Sequence, residues 1–459
     1  MAENVSPILD DNAPQSSRST TIIAFTTALS YSLTYFWRYP IFLLPDDILS
    51  KPVVTLFEKK VDLHSAISMC FILGFGVAKL PAIRIMTSPF FFRNRCSVLI
   101  SLYAISMLVE CGGIYVFQSS PPLQAVSVFI SSFFSSWIFG GLITYIEGRQ
   151  KTETLLAVLS SFYVYAGNLS RGTASLVLKM GTPPLLMPLI IGSVTMPLAS
   201  LLLIITDKSP GPSRADVQSR CKRSPMSTRR QWLFVADWGF GIGAMLMTYS
   251  VLTGIRSFRD FYVKQIFSAA IGESDVPSAL YFLADLPGAV LSCAALVICN
   301  QVQSNRAALR FMLFGVLFGG ATIFGSSVLF ELHCLGGIVW QLLLGVGIFV
   351  AYNLVGTPCY DRLLAVTETE GTCSFLIFLS DFFGYVVTIS LLFYNNFGPV
   401  NDEDDRKVLH MYTWILLGAS VTIICVSAVM IYYFALRLSL RPAEATTPNP
   451  EEDAPLLDT

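Results

Sequence analysis

Charge is scarce in this chain. Of its 459 residues only 13% are Asp, Glu, Lys or Arg, while 53% are hydrophobic, and the mean hydropathy is +0.61. So little charge over so long a chain excludes an ordinary water-soluble domain. The 30 basic and 31 acidic side chains nearly cancel, and a net charge of −1 gives no hint of nucleic-acid binding. Histidine is rarer still. His64, His333 and His410 are the only three, all near the extracytosolic ends of apolar runs, where surface histidines are commonplace, and no role is assigned to them. The ten cysteines contain no Cys-x-x-Cys pair, and nearly all fall inside apolar runs or in loops expected to face the cytosol, with Cys334 the exception. That excludes a disulfide framework and gives no metal site. No glycine-rich phosphate loop is present, which argues against ATP-driven pumping, and no nucleophile–base pair stands out, which argues against an enzyme. Residues 1–19 are polar and carry no cleavable signal, so the first apolar run is expected to stay as a span.

What the chain has instead is length in its apolar runs. Twelve recur, at about 20–44, 63–83, 96–117, 123–146, 154–177, 183–206, 235–256, 277–298, 309–330, 335–357, 373–395 and 409–435. Each is long enough for a hydrocarbon core of about 30 Å, which predicts an all-α integral membrane protein of twelve transmembrane helices. The segment Asp207–Gln231 carries seven Lys/Arg against two Asp and divides six runs from six. The expected organisation is a tail 1–19, a six-helix bundle 20–206, a basic linker 207–234, a second bundle 235–436 and a tail 437–459. Basic residues gather on the side of the termini and the linker, so that side is expected to be cytosolic.

The halves echo each other. "SYSLTYFWR" (Ser30–Arg38) in span 1 and "TYSVLTGIR" (Thr248–Arg256) in span 7 share a Tyr-Ser pair followed, six residues after the serine, by arginine. Arg38 and Arg256 would then be equivalent positions in two pseudo-symmetric bundles.

An arginine inside an apolar run raises its own question, since placing it at the centre of a membrane helix costs about 2.5–3.5 kcal/mol. Four cations lie at membrane depth: Arg38, Lys79 in span 2, Arg171 in span 5 and Arg256. The acids are Glu110 in span 3, Asp285 in span 8 and Asp381 in span 11. Residues three, four or seven apart share a helix face, and several charges lie on such polar stripes: Tyr31, Thr34, Tyr35 and Arg38 in span 1, and Asp381, Tyr385 and Thr388 in span 11. Stripes of this kind turn toward one another around a solvated cavity, because lipid cannot satisfy them. One reading pairs Arg38, Lys79 and Arg171 with Glu110, Asp285 and Asp381 as internal ion pairs. The other makes the cations, with Tyr31 and Tyr35, a pocket for an anion, with Glu110, Asp285 and Asp381 as counter-ions or proton carriers.

Across its whole length the chain resembles the major facilitator superfamily. Within it, "YFWRYPIFLLP" (Tyr35–Pro45) and "GFGVAK" (Gly74–Lys79) are similar to the organophosphate:inorganic phosphate antiporters, which carry Tyr-x-x-Arg in span 1 and Gly-Tyr-Gly-x-x-Lys in span 2. Phe75 stands where that pattern has tyrosine. Asn168 and Arg171 stand in the region of span 5 where the antiporters favour histidine. "WIFGGLITYIEGRQKTE" (Trp137–Glu153), "RSFRDF" (Arg256–Phe261) and "YDRLLAVTETEGTCSFLIFLSDFFGY" (Tyr360–Tyr385) resemble an uncharacterised branch of the superfamily. The resemblance implies two six-helix bundles, alternating access, and a substrate phosphate gripped by Arg38 and Arg256 with Lys79 assisting. The usual Gly-x-x-x-Asp-Arg loop after span 2 is replaced by "IRIMTSPFFFRNR" (Ile83–Arg95). Gating would rest instead on Glu147 and Arg149 after span 4 and on Asp361 and Arg362 after span 10.

Two residues before the end of the chain, "EDAPLL" (Glu452–Leu457) places Glu452 four positions before the pair Leu456 and Leu457 and resembles a dileucine sorting signal read by clathrin adaptors. The expectation is therefore a secondary transporter of a small organic anion, a phosphate ester or phosphate first. It would use no cofactor and would lie in an endosomal, lysosomal or plasma membrane, with protons as a possible second substrate. Two alternatives stand beside it, a non-transporting receptor or scaffold of the same fold and a carrier of a neutral solute such as a sugar.

Overall fold

The computed structural model describes residues 17–86, 88–146, 152–210, 228–273, 275–367, 374–397 and 405–439. Its long helical stretches coincide with the twelve apolar runs. Span 1 is Ser17–Leu33 continued by Tyr35–Arg38 and a 3-10 turn at Pro40–Leu43; span 2 is Leu63–Met86; span 3 runs Pro89–Val116 through a π-helical turn at Leu108–Gly112. Spans 4, 5 and 6 are Pro121–Ile146, Thr152–Lys179 and Met187–Asp207. In the second half span 7 is Thr228–Phe261, span 8 is Ser278–Leu283 with Leu286–Gln301, span 9 is Asn305–Glu331, span 10 is Gly337–Val355 with Thr357–Val366, span 11 is Ser374–Phe397 and span 12 is Asp405–Ser439. Eight of these are long and apolar enough to cross a membrane. The other four, spans 1, 2, 5 and 11, are those that hold Arg38, Lys79, Arg171 and Asp381.

Packing repeats between the halves. Span 2 lies on span 4 as span 8 lies on span 10, span 1 on spans 5 and 6 as span 7 on spans 11 and 12, and span 3 on span 6 as span 9 on span 12. Span 2 meets span 11 across the halves, and span 5 meets span 8, which is the same relation seen from the other bundle. Glycine permits the tightest of these contacts. A Cβ on Gly74 would sit 2.5 Å from the Phe129 carbonyl oxygen in span 4, and one on Gly288 would sit 2.4 Å from the Gly345 carbonyl oxygen in span 10. Small residues allow membrane helices this approach, and these two occupy equivalent helix pairs.

The helices Asp46–Leu49 and Val263–Ile271 and a strand pair lie outside the apolar runs. Strands Pro52–Leu56 and Lys59–Asp62 form an antiparallel hairpin between spans 1 and 2, turning at Phe57 (φ 50°) and Glu58 (φ 63°). Two-residue hairpin turns favour Asn-Gly because both residues need positive φ, so nothing here announced a turn. The Phe57 ring packs edge-on against Phe397 (5.6 Å) and Phe393 (6.2 Å) of span 11, a contact that offsets the backbone strain. This face of the molecule is called the hairpin side below, and the opposite face the termini side.

Candidate functional site

Where the two bundles meet, a cavity of about 180 Å3 is lined by Tyr31, Tyr35 and Arg38 of span 1, Phe75 and Lys79 of span 2, Tyr249, Arg256 and Asp260 of span 7, Tyr352 of span 10, and Asp381 and Tyr385 of span 11, among others. A larger groove of about 2040 Å3 opens on the hairpin side and is lined by His64, His333 and His410 with Asp46, Glu331 and Arg406. It is a surface depression outside the ring of buried charges, so the smaller cavity is the candidate site.

Local structure explains how Arg38 reaches the cavity. Span 1 breaks at Thr34, whose hydroxyl donates to the Tyr31 carbonyl (2.7 Å). Side chains on a helix lean toward its N-terminus, and Arg38 folds back one turn, donating from Nε to the Thr34 carbonyl (3.1 Å) and from Nη2 to the Thr34 hydroxyl (3.0 Å). Pro40 then prevents the α-helix from continuing, and the chain tightens into the 3-10 turn. The guanidinium lies 4.4 Å from the Tyr35 ring centroid and 5.6 Å from that of Phe75. Arg38 is 2% exposed and meets no carboxylate within 4.0 Å among the described residues.

Arg256 enters from the other half. Its guanidinium lies 4.9 Å from the Tyr352 ring centroid, and its Nε stands 3.8 Å from Asp260 Oδ2, an ion pair too long for a hydrogen bond. Asp260 is the shared acid. Its Oδ1 accepts from Arg171 Nη2 at 2.8 Å, so one carboxylate joins a guanidinium from span 5 to one from span 7. Arg171 also donates to the Asp260 carbonyl (3.1 Å) and to Asn168 Oδ1 (2.8 Å), and does not line the cavity.

Lys79 crosses to Asp381 at 3.2 Å, linking span 2 to span 11 on the termini side of the cavity. The other oxygen of Asp381 accepts from the Tyr249 hydroxyl (2.9 Å), which in turn meets the Tyr352 hydroxyl (2.8 Å). Asp285 pairs with Arg259, both fully buried, away from the cavity. Glu110 is also fully buried. Its Oε2 accepts from Ser131 (2.6 Å), and its Oε1 has no hydrogen-bond partner among the described residues.

Of the three internal ion pairs that would have balanced the charges, only Lys79 with Asp381 is of the expected kind. Arg171 and Asp285 find Asp260 and Arg259, neither of which sequence reasoning placed at membrane depth. The reason is a boundary. The seventh run ends at residue 256, whereas the helix continues to Phe261 and buries Arg259 and Asp260. The spacing carried a signal, because Arg256 and Asp260 are four apart on one helix face. Tyr249 was also within reach, since it occupies in span 7 the place that Tyr31 has in span 1. His64 corrects another expectation. It is 3% exposed rather than superficial, and its Nε2 lies 2.9 Å from the Phe261 carbonyl across the halves. Arg362 donates to Asn305 Oδ1 (2.6 Å), and Asp361 stands beside it in the helix Thr357–Val366. Glu147, Arg149, Glu452, Leu456 and Leu457 lie outside the described residues.

The hairpin side is shut. Ser65 Oγ donates to Asn396 Oδ1 (2.7 Å), Lys264 pairs with Asp46 (2.8 Å), Ser175 meets Ser278 (2.9 Å), and Phe42 packs on Phe261 (5.0 Å), each joining one half to the other.

Solved structures that share this arrangement include transporters. The nucleoside transporter NupG, in a mutant form, superposes with a TM-score of 0.57 at 11% identity over 90% of this chain and 99% of its own. A bacterial homologue of the human lysosomal transporter Spinster superposes with TM-scores of 0.58 and 0.56 in its unoccupied and occupied inward-facing forms, at 10% identity over 94% of this chain and 100% of its own. At these identities the likeness establishes the fold. None of the curated proteins matches the sequence. Residues 54–437 match the model of DUF5690, a family of unknown function, and the chain belongs to that family.

Proposed function

We propose that the chain is a secondary transporter that moves a small organic anion by alternating access between its two bundles. The observation that carries this is the pair Arg38 and Arg256. They stand at repeat-related positions on opposite halves, both face one small cavity, and Arg38 lacks a carboxylate partner among the described residues. A buried guanidinium without a counter-ion is costly, and an anion arriving between the two would supply the missing charge and draw the bundles together. Phosphate esters and carboxylates are the two classes that guanidinium forks hold bidentately.

Asp260 and Asp381 fit the roles of gate acids. Each takes a cation from the first half, Arg171 on the hairpin side and Lys79 on the termini side, so releasing one pair while the other holds would open the cavity to one face at a time. The shut hairpin side and the inward-facing forms of the Spinster homologue favour a state that opens on the termini side, which we place in the cytosol. Glu110, with one oxygen unpartnered next to the span that carries Arg38, is the carboxyl we assign to proton coupling. Glu452, Leu456 and Leu457 support an endosomal or lysosomal address.

The test is uptake into proteoliposomes of labelled glycerol phosphate, hexose phosphate, succinate and benzoate, with and without an inward-acid pH gradient. Saturable uptake of one of these anions is the expected result. Exclusion of every anion by a well-folded sample, with uptake of an uncharged solute, would overturn it.

A further inference from the structure

The cavity is aromatic to an extent that a site for a simple phosphate does not need. Tyr35, Phe75, Tyr163, Tyr249, Tyr352 and Tyr385 all line it, and the two arginines are clothed by rings rather than by water. Arg38 lies over Tyr35 at 4.4 Å, and Arg256 lies over Tyr352 at 4.9 Å with Tyr163 at 5.7 Å. Stacked in this way a guanidinium keeps its N–H edge for a ligand, while the surrounding tyrosines offer ring faces together with their hydroxyls.

The charge count points the same way. Arg38, Lys79 and Arg256 line the cavity against Asp260 and Asp381, which leaves one positive charge uncompensated within the lining. Behind the lining, Arg171 adds a cation beside Asp260 and the buried Glu110 adds a carboxyl, so the balance is unchanged when Glu110 is ionised. A doubly charged, strongly hydrated anion would lose its water there and recover only half of its charge compensation. A monoanion is matched. A cavity of about 180 Å3 gives room for a compact ring with one acidic group.

We infer that the substrate class is a small monoanion with a flat, aromatic or unsaturated body, a carboxylate whose acidic end lies between Arg38 and Arg256 and whose body stacks among Tyr35, Tyr163 and Tyr352. This rests on the reading of the cavity as an anion transport site. Like-for-like uptake in proteoliposomes tests it, using labelled benzoate, phenylpyruvate, acetate, succinate, glycerol phosphate and inorganic phosphate. The aromatic monocarboxylates are expected to be taken up, with acetate weaker by roughly tenfold and the dianions excluded. In Tyr352→Leu the advantage of benzoate over acetate is expected to shrink, a ratio that partial loss of folded protein does not alter. Uptake of succinate or a phosphate with benzoate excluded would overturn this inference and leave the anion reading standing. Uptake of no anion at all would overturn both.

Discussion

A guanidinium buried at 2% exposure inside a membrane bundle has to be satisfied by something, and the two cavity arginines are satisfied differently. Among the described residues Arg38 has Thr34 and aromatic faces, whereas Arg256 has a stretched contact with an acid already committed to Arg171. On the proposed reading Asp260 restrains Arg256 from engaging a ligand, and at the same time it neutralises a buried cation. Replacing it separates the two effects. Asp260→Asn should lower thermal stability in detergent by about 3 kcal/mol, because Arg171 loses its charged partner. It should also lower the KM for the transported anion, because Arg256 is released. Unfolding curves and uptake kinetics read the two outcomes separately, and a raised KM would contradict the competition. At this scale the sequence was informative wherever a charge interrupted an apolar run, as Arg38, Lys79 and Asp381 do. Arg259 and Asp260 were missed despite the four-residue spacing of Arg256 and Asp260, because a charged cluster at the end of a run looks like the start of a loop.

Helices meet here through residues chosen for what they lack. Gly74 and Gly288 hold equivalent helix pairs close enough that a side chain would strike a backbone carbonyl, which a flexible neighbour cannot relieve. Gly74→Leu should destabilise the protein by about 1–3 kcal/mol, the usual range for overpacking. Gly76→Ala is the control. The nearest atom to its added Cβ is a Tyr385 ring carbon at 3.8 Å, an ordinary contact, so its melting curve should overlay that of the parent. Which glycines matter could not be read from the sequence, because "GFG" offers both on one helix and only the packing of span 4 distinguishes them. The hairpin at Phe57 and Glu58 was unreadable for a related reason. Its turn conformation is held by Phe393 and Phe397, residues more than 300 positions away in the chain, and not by local turn chemistry.

The molecule as a whole was the most readable level. Twelve apolar runs divided by a basic linker imply two six-helix bundles, and the mirrored packing of spans 2 with 4 and 8 with 10 is what such a duplication produces. The state of the molecule was not readable, since closure of the hairpin side depends on contacts between residues far apart in the chain. Ser65 and Asn396 are one such contact. Cysteines placed at both positions in a cysteine-depleted background should cross-link in the membrane and stop uptake, and a reductant should restore it. Full uptake by the cross-linked protein would mean that this face does not open during transport.

The central claim is that one anion is held by both halves at once. The most direct measurement compares initial uptake rates of the best labelled anion for the parent, Arg38→Ala and Arg256→Ala in proteoliposomes, with folded protein normalised by size exclusion. A charge-assisted contact to a bound anion is worth roughly 1.5–3 kcal/mol, about tenfold to a hundredfold in affinity. The account predicts that each variant loses uptake on that scale, and that the two lose it alike despite lying in different bundles. Undiminished uptake in either variant would contradict a shared anion between Arg38 and Arg256.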